Sequence, residues 1–163
     1  MTTPVRKLED APLFDIAILM HQFAPHGRDY IVVAETNWTG VRAGRYQYRF
    51  THVVVQELET RVRDDVWQTS WDDVFTDYDA WQRASEPDGY VWGTCWSLAY
   101  PGQTVSDTTE RAKEWSRRVG HPMVELELET DRFRLILVFH DVHITKLSDE
   151  HELIARATIP LSE

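Results

Sequence analysis

The chain has 163 residues, 42% of them hydrophobic and 12% aromatic, with seven Trp and a formal net charge of −10. That length suits one domain spanning 1–163 with a real core, and so many aromatics argue against disorder, because they bury enough surface to offset chain entropy. The acidic balance argues against nucleic-acid binding, which needs Lys and Arg to displace counterions. No apolar run reaches membrane-spanning length, and a single Cys fits a reducing compartment, so a cytoplasmic protein with no membrane contact is expected.

Residues 1–10 read as a flexible lead without a secretion signal. Asp10 and Pro12 then predict a helix start, with Leu13, Ile16, Ala17, Met20 and Phe23 at helical spacing and Pro25 and Gly27 ending it. Arg28 to Thr36 reads as a short strand that is apolar on both faces. Arg45 to Val62 is strand-like, with Tyr46, Tyr48, Phe50, His52 and Val54 on one face and Gln47, Arg49 and Thr51 on the other. The alternation loses its parity at Val53-Val54-Val55, which predicts a bulge or a change of neighbour. Trp67, Trp71, Val74, Phe75, Tyr78 and Trp81 then recur with the best helical period in the chain, following a cap at Asp64 or Asp65.

The stretch from Asp88 to Gly102 is bounded by the turn pairs Asp88-Gly89 and Pro101-Gly102. It places Tyr90, Trp92, Thr94, Trp96, Leu98 and Tyr100 on one side and small residues on the other, a pattern suited to a central strand. A further helix is capped at Ser106, Asp107 or Thr108, with Ala112, Trp115 and Val119 as its buried stripe, Arg117 and Arg118 in its last turn and Gly120 as its stop. Val124, Leu126 and Leu128 alternate with Glu, and Phe133, Leu135, Leu137 and Phe139 follow. A tight turn at Thr130-Asp131 would pair Leu128 with Phe133 and Glu127 with Arg134. A last strand is expected from Glu152 to Ile159. Taken together the pattern predicts an α+β fold on a largely antiparallel sheet, with about three helices packed on it.

Chemistry has few places to sit. His140-Asp141-Val142-His143 is the densest ligand cluster; on a strand, Asp141 and His143 point one way and His140 the other, so metal binding would need His52, His121 or His151 from elsewhere. Cys95, in an interior strand, reads as an inert thiol. Trp38, Trp92, Trp96 and Tyr100 are candidates for lining a pocket, with core packing as the plainer account. The acids from Glu57 to Asp88 are opposed only by Arg61, Arg63 and Arg83. They read as a solvated face or as a docking surface for a basic partner, with Asp72, Asp73, Asp77 and Asp79 as its candidate contacts.

The run Asp88-Gly89-Tyr90-Val91-Trp92-Gly93, with Trp96 and Tyr100-Pro101-Gly102, resembles YxiG-like domains, small bacterial proteins of unassigned activity. Val66-Trp67 with Ser70 and Asp72-Asp73, Trp115-Ser116 with Gly120 and Pro122, and Leu137-Val138-Phe139 with Asp141 fit in the same order. The resemblance carries over no catalytic residue and no cofactor. It implies an immunity role against a polymorphic toxin, since some members are placed near secreted toxins. The leading expectation is a non-enzymatic binding protein for a basic partner such as a toxin. The alternatives are a metal-dependent or small-ligand enzyme at His140, Asp141 and His143, and a homo-oligomeric module such as a homodimer.

Overall fold

A computed structural model describes residues 2–36, 43–69, 78–85 and 97–148. The chain opens on helix α1, Pro4–Asp10, where the sequence predicts a flexible lead. Thr3 caps it by accepting from the Arg6 N–H, and Pro4 starts it. Seven residues offer only Val5 and Leu8 as apolar positions, too few to display a period, yet Leu8 is fully buried. The expected helix after Asp10 is instead strand β1, Ala17–Phe23. It pairs with strand β2, Tyr30–Thr36, but between Ile18 and Met20 it carries one extra residue. That bulge breaks the two-residue alternation, so the apolar positions imitate a helical spacing.

Strand β3, Gly44–Thr51, and strand β4, Val55–Thr60, are separated at His52, Val53 and Val54, where the parity change falls. The change is one of neighbour: β3 and β4 belong to different sheets. Helices α2, Asp64–Thr69, and α3, Tyr78–Arg83, lie in the segment predicted to be helical. Strand β5, Ser97–Leu98, is the described part of the stretch expected to form a central strand, and among the described strands it stands at the edge of its sheet. Strand β6, Gly102–Ser106, begins at the residue read as a turn. Gly102 has φ +89°, and a Cβ there would stand 2.7 Å from the Leu13 carbonyl oxygen, so a side chain is excluded.

Helix α4, Glu110–Val119, is capped by Thr109, one residue beyond the expected set, and closes on Gly120 at φ +72°. Strands β7, Val124–Glu129, β8, Phe133–Phe139, and β9, Asp141–Lys146, complete the described chain. The β7–β8 register is two residues off the tight-turn expectation, with Leu128 opposite Leu135 and Glu129 opposite Arg134. The turn is wider because Asp131 is drawn to β5: its N–H donates to the Leu98 carbonyl (3.0 Å), and its carboxylate accepts from the Leu98 N–H (2.8 Å). A slip of two keeps every side chain on its face, so the apolar side still points inward. Glu127 and Arg134 still meet, diagonally, at 2.6 Å.

Among the described residues the strands form two antiparallel sheets, in the orders β5-β1-β2-β3-β9 and β4-β8-β7-β6, accompanied by four helices. The fold is α+β, as expected, with the antiparallel sheet divided in two. Tyr30, Val32, Tyr48, Phe50 and Val142 of the first sheet share one core with Leu126, Leu128, Leu135, Leu137 and Phe139 of the second. Ile136 and Val138, on the opposite side of β8, are buried too, and α4 contacts both β7 and β8. Among the described residues no helix is long and apolar enough to cross a membrane. The expected strand from Glu152 to Ile159 lies outside the described residues, as do most of the Asp88–Gly102 stretch and Cys95.

A histidine corner between the two sheets

The chain passes from one sheet to the other at several points, and two of these crossings lie side by side. One runs from β3 to β4 through His52, the other from β8 to β9 through His140. The His140 N–H donates to the Thr51 carbonyl at 2.9 Å, which locks the two corners together. The two imidazole rings stand 5.9 Å apart, edge to face.

His52 has a left-handed backbone, φ +51°, outside glycine's usual monopoly of that region. Asp29 supports it by accepting the His52 N–H at 3.2 Å. Asp29 is 1% exposed and ends the turn that leads into β2. Its carboxylate also accepts from Arg28 Nε (3.2 Å) and from Arg49 Nε (2.8 Å) and Nη2 (2.6 Å). Burial pushes this carboxyl up, but the hydrogen bonds from Arg49, His52 and Arg28 and the charge of Arg49 bring it below the usual aspartate range.

Behind the other corner, Ser116 of α4 donates to the Ala112 carbonyl and accepts from the Met123 N–H, each at 2.8 Å. This fixes the short link from α4 to β7, which carries His121, Pro122 and Met123. The His140 Nδ1 lies 2.9 Å from the Pro122 carbonyl, which can only accept, so Nδ1 carries the proton. The His121 ring lies 5.7 Å from that of His140.

Two cavities adjoin at this corner. One, of about 330 Å³, is lined by Val54, Val119 and Met123 together with His52, His121 and His140. The other, a polar groove of about 540 Å³, is lined by Arg28, Asp29, Gln47, Arg49 and Thr51 and by Asp141, His143 and Thr145 of β9. His52 and His140 line both.

Asp141 and His143 thus share the groove, with the His143 Nε2 4.0 Å from the Asp141 carboxylate. Asp141 is already engaged: Lys7 of α1 donates to its two oxygens at 2.6 and 2.9 Å and to the Val142 carbonyl at 3.1 Å. Burial raises the Asp141 carboxyl, and the Lys7 hydrogen bond, the Val142 N–H and the charges of Lys7 and His143 bring it below the usual range. Among the described residues no three His, Cys, Asp or Glu side chains are placed to hold one metal ion.

The remaining sequence candidates do not meet at this corner. Asp79 is exposed on α3, while Asp72, Asp73 and Asp77 lie outside the described residues. Tyr100 is 61% exposed and rests against Phe14, with ring centroids 6.1 Å apart; Trp38, Trp92 and Trp96 lie outside the described residues. Asp29 was missed altogether. Its one sequence signal is a lone Asp immediately before a strand apolar on both faces, a place where a carboxylate must find partners or stay in water.

A family model described as YxiG-like protein matches residues 3–157. The chain belongs to the YxiG-like family. No curated protein matches it. For this YxiG-like chain, then, the corner itself carries the functional argument.

Proposed function

We propose that this YxiG-like protein is a non-enzymatic binding protein whose small-ligand site is the histidine corner. The observation that carries the reading is the junction of an apolar cavity and a polar groove through His52 and His140. Such a cleft, apolar with a few convergent polar groups, is the usual form of a ligand site. The two groove carboxylates support binding over catalysis. Asp29 and Asp141 are each committed to cations and held below the usual range, away from the near-neutral pKa that a general acid or base requires.

The test is titration with Nile red, a neutral dye, comparing wild type with Val119→Trp. Val119 closes α4 at the cavity rim and is 38% exposed, so Trp can fill the cavity without entering the core. The expected result is dye binding to wild type and at least a tenfold loss in the variant, on the order of 1.4 kcal/mol. Equal binding to both proteins, or none to wild type, removes the corner as the site.

A second reading has its own support. Glu57, Glu59, Asp64, Asp65 and Asp79 are all exposed on a chain of net charge −10, which fits docking to a basic protein, such as a toxin neutralised by an immunity partner. It predicts that a basic protein captured at low salt is released at high salt and is no longer captured after charge reversal at Asp72, Asp73 and Asp77. Undiminished capture by that variant would sink it.

A further inference from the structure

Resting on the corner as a ligand site, we propose that its ligand is an amphipathic monoanion, a carboxylate bearing a medium-length apolar chain. The head would sit in the groove beside Arg28 and Arg49, and the chain would fill the cavity of Val54, Val119 and Met123.

Charge accounting selects the head. Two guanidinium groups line the groove, and they share the single carboxylate of Asp29. The other groove carboxylate, Asp141, is matched by Lys7. The groove lining by itself sums to zero, Arg28 and Arg49 against Asp29 and Asp141; counting Lys7, which stands outside the lining and neutralises Asp141, leaves one net positive charge before any histidine is protonated, on a chain whose net charge is −10. Each guanidinium has five N–H donors in a planar fork suited to a carboxylate. Asp29 takes the Nε–H of Arg28, and the Nε–H and an Nη2–H of Arg49. The side chains of Arg28 and Arg49 are 58% and 44% exposed, and Arg49 Nη2 also lies 3.3 Å from His26 Nε2. One surplus charge matches one anionic group.

The second cavity selects the tail. Its non-histidine lining is wholly aliphatic or thioether, and about 330 Å³ holds roughly ten groups the size of a water molecule. Met123 is 2% exposed and supplies a pliable floor. His52 and His140, each with an apolar ring body and a polar edge, line the passage between the two environments. A wholly polar anion would leave the apolar cavity unfilled, and a plain hydrocarbon would leave the arginines unanswered.

The test is calorimetry with three probes that share one chain: decanoate, decanol and decyltrimethylammonium. Decanoate is expected to bind at least tenfold more tightly than decanol, with the ammonium weakest. Arg28→Gln, at an exposed residue with one contact to Asp29, is expected to erase that preference while leaving decanol unchanged. Gln47→Glu adds a negative charge to the groove wall and is expected to weaken decanoate alone. Decanoate and decanol binding alike would overturn the anion assignment and leave the corner standing. Failure of all three probes would overturn both.

Discussion

Replacing Phe139 by Ala is expected to lower the unfolding free energy by about 3–5 kcal/mol, the range for removing a buried aromatic from a core. Phe139 is fully buried at the end of β8, a strand paired on both sides, by β4 and by β7. Its ring meets that of Phe50, from the other sheet, edge to face with centroids 4.9 Å apart. The two rings join the sheets one residue before His140 turns the corner. Truncation removes the transfer free energy and leaves a cavity that two hydrogen-bonded sheets cannot close by collapsing. Urea denaturation reads the effect: the midpoint falls while the slope holds, since the surface exposed on unfolding is nearly unchanged. A loss below about 1 kcal/mol would mean that the sheets are not packed through this pair. Phe50→Leu in the same background completes a cycle, with an expected coupling of about 0.5–1.5 kcal/mol for the aromatic contact.

Asp29→Asn is expected to cost about 2 kcal/mol at pH 7, from hydrogen bonds made to a charged acceptor. The arginines are partly exposed, so solvent screening holds the cost below that of a fully buried pair. Asn can still accept the His52 N–H but offers no charge to Arg28 or Arg49. The sign of the pH effect follows from the depressed carboxyl. Below the unfolded aspartate value near 3.9 the unfolded chain takes up the proton first. The stabilisation is complete above that pH and disappears as pH falls through the folded value. Wild type and variant should therefore differ most near neutrality and converge in acid. Asp141 is depressed in the same direction, but it is present in both proteins and cancels in the comparison. A difference that persists undiminished below pH 3 would remove the ionised carboxylate as its source.

The parts legible in the sequence share a physical trait: their signal is local. The β7 and β8 alternation, the Gly120 stop of α4 and the parity break at residues 53–55 depend on neighbours a few positions away. The YxiG-like resemblance was carried by residue patterns and is matched by the family model over residues 3–157. The failures depended on distant partners. The extra residue of β1 is tolerated because β2 accommodates it, and in sequence it imitates a helix. Helix α1 exists because Leu8 finds the core and Lys7 finds Asp141, contacts that no seven-residue pattern announces. The β7–β8 turn widened because Asp131 bonds to Leu98, 33 residues earlier.

The candidate site divides along the same line. His140, Asp141 and His143 were visible as a cluster because they are contiguous. That His52 stands beside His140, that His121 approaches from the α4 link, and that Asp29 gathers two arginines behind them were decided by the sheet crossings. By itself the sequence determined which residues face inward along β7 and β8, that the alternation breaks at residues 53–55, the α+β class and the family, because periodicity and turn chemistry act over a few residues. Only the tertiary structure decided which sheet each strand joins and which histidines meet. Those outcomes depend on hydrogen-bond partners and core contacts that loop closure brings together across separations such as the 134 positions between Lys7 and Asp141.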